Sequence, residues 1–463
     1  MLTKIVLRCL LFGLPVYVAI LFVPSSIAEQ DNQDVENLVV EHTLENGLRV
    51  IVQPDERAPV AAVMLWYRAG SMDEVGGKTG VAHVLEHLMF QGTKNVGPGE
   101  YAKIVAEVGG RTNAFTSSDY TGYFQELHNS HLELAIKLEA DRMSNLITRQ
   151  EEFQTEMRVV MEERRQRVDD NPRGVMMEQL SAAMYVAHPY RNPVVGWMND
   201  LENLTLKDAT DWYRDWYAPN NAALVIAGNV DPSEVIRLSE KYFGPIASRD
   251  IPVRKPQTEP DQIGNRAINV TAETTIPSQV MAFRVPKLID VEKDWEPYAL
   301  FLLAGVLDGH AAARLQKRLV LEDGIAHSVF VNYDGLKRGP GSLYVGFSPR
   351  KEHQLSELEG VWWEEIENLK LNGVTESELR MVKAQVIAGQ VFSIDSVLGQ
   401  AMRLGRMWSI GFSPDEANLI NKKLRSISPE QVQQVAERYL IDGKITKAVL
   451  HPKKQMTNVE EGR

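Results

Sequence analysis

Cysteine is almost absent: Cys9 is the only one in 463 residues. A chain with one thiol near its start cannot build a disulfide framework or a thiolate metal site, so any metal must be held by His, Asp or Glu. Positive charge is also in deficit, with 50 Lys and Arg against 62 Asp and Glu and a net charge of −12. Such a surface repels phosphate backbones, which excludes nucleic acid as a partner. No glycine-rich loop of the kind that cradles phosphate is present, and nothing suggests a cofactor pocket. Long apolar runs are missing apart from Cys9 to Val23, which Lys4 and Arg8 precede and Ser25-Ser26-Ile27-Ala28 follows. Gly13 and Pro15 interrupt that run, and it is short for a bilayer span. The pattern predicts a signal peptide over 1–28, cleaved after Ala28, and an exported, periplasmic protein, with inner-membrane anchoring as the lesser alternative.

With 44% hydrophobic and 24% charged residues, the rest is an ordinary globular composition, long enough for two or three domains. Residues 45–67 hold two β-branched and aromatic runs flanked by turn residues, the pattern of paired strands. A helix is expected at about 80–90, a strand or two between Arg111 and Leu127, helical periodicity from Leu132 to Val168, and a buried strand at Leu224–Val230. Residues 248–265 carry Pro252, Pro256, Pro260 and Gly264 among charges without an apolar period, and read as a linker. Pro-initiated helices at Pro232 and Pro429 close the two halves alike and hint at duplication, although the order of helix and last strand differs. The expected architecture is two α/β (α+β) domains, 29–247 and 266–463.

The string His83-Val84-Leu85-Glu86-His87 carries the chemistry. On a helix His83 and His87 lie one turn apart with Glu86 on the same side, while Val81, Val84, Leu85, Leu88 and Met89 fill the other. No Lys or Arg occurs between Gly80 and Phe90, so the polar side needs a partner that satisfies two imidazoles and a carboxylate. A divalent metal would do so, although a buried structural metal or a hydrogen-bonded core cluster would also account for the string. A catalytic zinc takes three protein ligands and keeps one position open. Third-ligand candidates lie on the helix around 152–168, where Glu156 and Glu163 share a face with Phe153, Val159 and Val160, and Glu162 points about 100° away. Glu86 is placed to act as the general base on a metal-activated water.

These residues resemble the pitrilysin/insulinase family of inverted zincins, whose motif runs in reverse of the usual order. The similarity covers nearly all of the chain beyond residue 28, including Thr79–Thr93 (TGVAHVLEHLMFQGT), Gly109–Thr116 (GGRTNAFT), Glu156–Arg165 (EMRVVMEERR), His188–Tyr190 and Trp216–Ala222 (WYAPNNA). The resemblance implies two domains of one fold, each a mostly antiparallel sheet flanked by helices as in mitochondrial processing peptidase. The first would bear the zinc and the second none. It implies one zinc per chain and peptide hydrolysis. It also places the third ligand 76 residues beyond the second histidine, and 163 − 87 = 76 selects Glu163. Glu156 would then orient the site from behind a ligand. Asn113, Ala114 and Phe115 would lie on an edge strand to which an extended peptide adds. For Asn113, a turn residue after Gly109-Gly110 is the competing reading.

One departure stands out. Self-sufficient members carry an Arg and a Tyr seven residues apart in the second domain, and the corresponding positions here are Val320 and His327. The expectation is a zinc-bearing subunit of a heterodimer whose related partner supplies the Arg and Tyr, a homodimer being the alternative. The competing function is a non-catalytic scaffold or peptide-binding subunit. Among other residues, His128 and His131 read as a surface feature where a strand gives way to a helix. Trp362, Trp363, Met402, Met407 and Trp408 are expected to pack helices of the second domain.

Overall fold

A computed structural model describes residues 39–393 and 395–453. The expected signal peptide at 1–28 lies outside the described residues. The strands are β1 (Val40–Thr43), β2 (Arg49–Pro54), β3 (Val60–Tyr67), β4 (Arg111–Thr116), β5 (Thr121–His128), β6 (Ala222–Gly228), β7 (Arg266–Ala272), β8 (Ser278–Val285), β9 (Ala326–Asp334), β10 (Gly341–Pro349) and β11 (Ile445–Pro452). They form a six-stranded sheet of order β1-β2-β6-β3-β5-β4 and a five-stranded sheet of order β7-β11-β8-β10-β9. Among the described residues only β2 with β6 and β7 with β11 run parallel; every other pairing is antiparallel.

The two runs within 45–67 do form strands, but they do not pair with each other. Every residue of β6 is buried, and an apolar strand covered on both faces is stable only with hydrogen-bonded neighbours on both sides. It therefore lies between β2 and β3, which the short link 55–59 joins across two strand spacings of about 4.8 Å each.

Without β1, the order 2-6-3-5-4 of the first sheet repeats as 7-11-8-10-9 in the second. This repeat corrects the helix correspondence suggested by Pro232 and Pro429. The helix Pro429–Tyr439 precedes the last strand of its sheet, and its counterpart is Leu206–Trp216, which precedes β6. Thr205 and Ser428 begin these two helices with matching capping boxes. The helix Pro232–Tyr242 follows β6 and has no such counterpart among the described residues. Residues 247–263 contain neither helix nor strand.

The first five α-helices of the first half are α1 (Val81–Leu88), α2 (Glu100–Glu107), α3 (Leu132–Asn145), α4 (Gln150–Arg164) and α5 (Pro172–Met184). Each half covers its own sheet with helices to form a main core, and each lends one helix to the other. Met176, Leu180 and Met184 of α5 pack on Val270, Val280, Ala448 and Leu450 of the second sheet. In return, the helix Val397–Ile410 lays Ala401 and Leu404 on Met64, Trp66 and Val225 of the first. Met402 and Trp408 pack against that first-sheet cluster, not among second-half helices as expected, whereas Trp362 and Met407 do belong to the second core. The exchange explains the difference: an apolar face of the first sheet, invisible in local sequence, takes its cover from the far half. No helix among the described residues is long and apolar enough to cross a membrane.

Candidate metal centre

Helix α1 begins at Gly80, whose φ of 87° places it in the left-handed region and which has no side chain to cap the helix. The free N–H groups are instead satisfied from outside. Glu74 accepts hydrogen bonds from Gly80 N at 2.8 Å and Ala82 N at 2.9 Å, so a buried carboxyl takes up the free donors at the start of the helix. Asp200 accepts from Thr79 N and from its hydroxyl at 2.6 Å, and the same hydroxyl accepts from Trp197 N. Val81, Val84, Leu85, Leu88 and Met89 are all buried against the first sheet. These supports present His83, Glu86 and His87 on the opposite face.

Helix α4 crosses in front of that face. At 100° per residue its buried side runs through Phe153, Met157, Val160 and Arg164. Val159, expected on that stripe, is 45% exposed. Glu156 and Glu163 therefore lie at the margin of the apolar side, where a carboxylate can reach both the interior and an opening. Glu162 is exposed and pairs with Arg165.

Nε2 of His83 lies 3.5 Å and Nε2 of His87 3.4 Å from the same oxygen, Oε2 of Glu163. One donor atom from each residue falls within 4.8 Å of the others. Metal bonds of about 2.0–2.2 Å at the tetrahedral angle would separate two donors by about 3.3–3.5 Å. Each imidazole thus sits at ligand spacing from Glu163, and the donor set of two imidazoles and a carboxylate suits zinc. Burial, then the neighbouring His87 and Arg167, push His83 down to about 3, which keeps it in the neutral form that ligates metal.

The surrounding hydrogen bonds hold this arrangement. Nδ1 of His87 lies 2.9 Å from Oε2 of Glu156, whose other oxygen accepts from Gln91 Nε2 at 2.6 Å. Burial opposes a charge on His87, but the Glu156 hydrogen bond and the nearby carboxylates of Glu86, Glu156 and Glu163 outweigh it and raise its pKa. Arg167 pairs with the Oε1 of Glu163 that faces away from the imidazoles. Oε2 of Glu86 accepts from the Thr116 hydroxyl at 2.5 Å. Burial holds the Glu86 carboxyl above its ordinary value despite that hydrogen bond. An open depression of about 570 Å³ lies beside Glu163, lined by Arg158, Val159, Glu162, Gln166 and Arg167. Two clefts of about 670 and 550 Å³ flank the segment 252–262 and contain none of the three donors.

Thr116 is on β4, the outermost strand of the first sheet, as are Asn113, Ala114 and Phe115. The side chain of Asn113 is exposed, with Oδ1 accepting from Ala114 N, while Phe115 turns inward against Trp66 at 5.1 Å between ring centroids. Val320 sits in a π-helical turn, Gln316–Glu322, partly buried against the second core, and His327 is exposed on the edge strand β9. In the second half the helix between the second and third strands is Glu296–Asp308, which has no His, Asp or Glu from Pro297 to Leu307. His128 and His131 bracket a single 3-10 turn between β5 and α3.

Reading the sequence alone misses Thr116, Gln91, Arg167, Glu74 and Asp200. A signal existed for Glu74: a helix that opens on Gly80 with no capping side chain must find an acceptor elsewhere. The other four carry none, because their partners are distant in sequence or turn on side-chain direction.

Residues 49–196 match the family described as Insulinase (Peptidase family M16), and residues 203–386 match the description Peptidase M16 inactive domain. The zinc protease PqqE of Helicobacter pylori is 34% identical over 360 residues, 76% of this chain and 80% of that protein. A probable mitochondrial-processing peptidase subunit beta of Schizosaccharomyces pombe is 26% identical, over 86% of this chain and 88% of its own length. A solved protease from Helicobacter pylori superposes with a TM-score of 0.85 at 30% identity, covering 90% of this chain and all of that one. The periplasmic protease PqqL of Escherichia coli shares the fold at a TM-score of 0.77 and 18% identity, over 90% of this chain and 48% of its own.

Proposed function

The chain belongs to the insulinase family of peptidases, family M16, and from that premise we propose that it is a zinc-dependent endopeptidase acting on extended peptides. The observation that carries the proposal is the convergence of both imidazoles on one oxygen of Glu163, with Glu86 one residue from His87 on the same helix face. His83, His87 and Glu163 hold one zinc ion, which when bound supplies Lewis acidity to a water and to the scissile carbonyl. Glu86 takes the proton of the attacking water and returns it to the leaving amine. Thr116, at hydrogen-bond distance from Oε2 of Glu86, leaves the other oxygen free for that exchange. Glu156 fixes the ring orientation of His87 through Nδ1.

Strand β4 supplies the substrate platform. Its outer edge has no strand partner among the described residues, and it carries the residue bonded to Glu86. A peptide added alongside Asn113, Ala114 and Phe115 lies next to the base, and main-chain pairing of this kind selects extended over folded substrates. Phe115 contributes its backbone alone, since its ring faces Trp66.

Activity in this reading needs a second, related chain carrying the Arg and Tyr that Val320 and His327 replace, and the protein works after export to the periplasm. Metal analysis and cleavage of a quenched extended peptide test the proposal together. Alone, the chain should hold one zinc and cleave slowly; adding the related chain should raise the rate at least tenfold. Absence of zinc from a folded preparation would refute the site. Full activity without a partner, as monomer or homodimer, would refute the heterodimer.

A further inference from the structure

The tip of the β9–β10 hairpin reaches from the second half into the first. Arg338 Nη1 and Nη2 donate to the two oxygens of Asp73 at 2.8 and 2.9 Å, a bidentate fork onto a carboxylate with only 2% of its side chain exposed. Arg338 Nη1 also donates to the carbonyl of Asp119 at 2.9 Å, and its backbone N–H to Asp119 Oδ2 at 3.2 Å. The next residue completes the grip: Gly339 N donates to the Tyr190 hydroxyl at 2.7 Å, which donates to Asp119 Oδ1 at 2.5 Å.

The two aspartates lie on different supports of the metal centre. Asp73 closes the turn Ser71–Asp73 by accepting from Gly70 N, and the next residue, Glu74, holds the N-terminus of α1. Asp119 lies in the hairpin loop that joins β4 to β5, three residues beyond Thr116. Ser71 N and Met72 N donate to the carbonyls of Ser117 and Ser118 in that loop. The fit is close enough that a Cβ on Gly70 would come within 2.5 Å of the Ser117 carbonyl. One side chain from the half without metal ligands thus joins the segment that starts the metal helix to the loop that ends the edge strand.

We infer that Arg338 is a positioning residue that sets α1 against β4, and with them Glu86 against Thr116. The second half then acts on the centre by fixing its geometry, without touching substrate. The inference rests on the proposed hydrolytic function only for its effect on rate; the structural coupling is measurable without it.

The test is amide hydrogen exchange of the full chain, read at residues 80–90 and 111–120, for wild type, Arg338→Ala, Arg338→Lys, Tyr190→Phe and the control Arg318→Ala. Zinc affinity by chelator competition and the visible spectrum of the cobalt(II)-loaded protein are read in parallel. Arg338→Ala should lose at least tenfold protection in both segments, bind zinc at least tenfold more weakly and alter the cobalt spectrum. Arg338→Lys, which keeps the charge but not the fork, should recover only part of each. Tyr190→Phe should loosen 111–120 more than 80–90, and Arg318→Ala should change nothing. Wild-type exchange at both segments in Arg338→Ala overturns the inference, and so does uniform loss of protection across the molecule in the milder Arg338→Lys and Tyr190→Phe. Loss of protection in a protein whose zinc-loaded wild type cleaves no peptide even with the related chain added would uphold the coupling and refute the hydrolytic function alone.

Discussion

Replacing Glu86 with Gln separates the proton-transfer role from every other role of the metal helix. The two side chains are isosteric, and the Gln carbonyl can accept the Thr116 hydroxyl that Glu86 Oε2 accepts at 2.5 Å. None of the three donors at ligand spacing is altered, so zinc should be retained at one per chain. Glu86 is only 9% exposed and burial raises its pKa, so a neutral amide removes the cost of keeping a charge there, and the unfolding midpoint should not fall. On the proposed mechanism, what is lost is the group that accepts the water proton, a role that contributes about 10²–10⁴-fold, or roughly 3–5 kcal/mol of barrier at about 1.4 kcal/mol per tenfold. The assay is kcat/KM on a quenched peptide, with zinc content and thermal midpoint measured on the same samples. Wild-type hydrolysis by a zinc-loaded Glu86→Gln protein would remove Glu86 from the mechanism. Loss of zinc along with activity would make it a ligand.

Two further outcomes concern the scaffold. Burial raises Glu74 to about 8, against the hydrogen bonds from Ala82 and Gly80. A carboxyl whose folded pKa lies above its unfolded value binds its proton more tightly in the folded state. Its contribution is therefore complete below pH 4.5 and declines up to about pH 8, by about 1.4 kcal/mol per pH unit within that window. Urea unfolding across this range should show the decline, and Glu74→Gln should flatten it; an unchanged slope would refute the assignment. At Gly405, a Cβ would overlap the indole of Trp66 where the exchanged helix crosses the first sheet. Overpacking costs about 1–3 kcal/mol and outweighs the roughly 1 kcal/mol that Ala gains over Gly in a helix. Gly405→Ala should lower urea stability by up to about 2 kcal/mol, and stabilisation would show that the contact yields freely.

Periodicity alone placed His83, Glu86 and His87 on one side of a helix and Val81, Val84, Leu85 and Leu88 on the other, because a 3.6-residue repeat needs no information from outside the segment. The absence of usable cysteine confined any metal to imidazole and carboxylate before a fold was known. The Leu224–Val230 run announced a buried strand in the same local way. Its place between β2 and β3 was not legible, since a fully apolar strand shows that it needs neighbours but not which ones. The choice among Glu156, Glu162 and Glu163 stayed open to helical geometry, and resemblance settled on Glu163. The crossing of α4 over α1 turns one carboxylate to both Nε2 atoms and the other to Nδ1 of His87. Trp408, Gly405 and Arg338 carry no local signal of their roles, because each acts across the boundary between the halves. Residue spacing thus determined which chemistry the chain can support, while tertiary packing decided which groups meet: α4 on α1 at the site, and one half on the other at the exchanged helices.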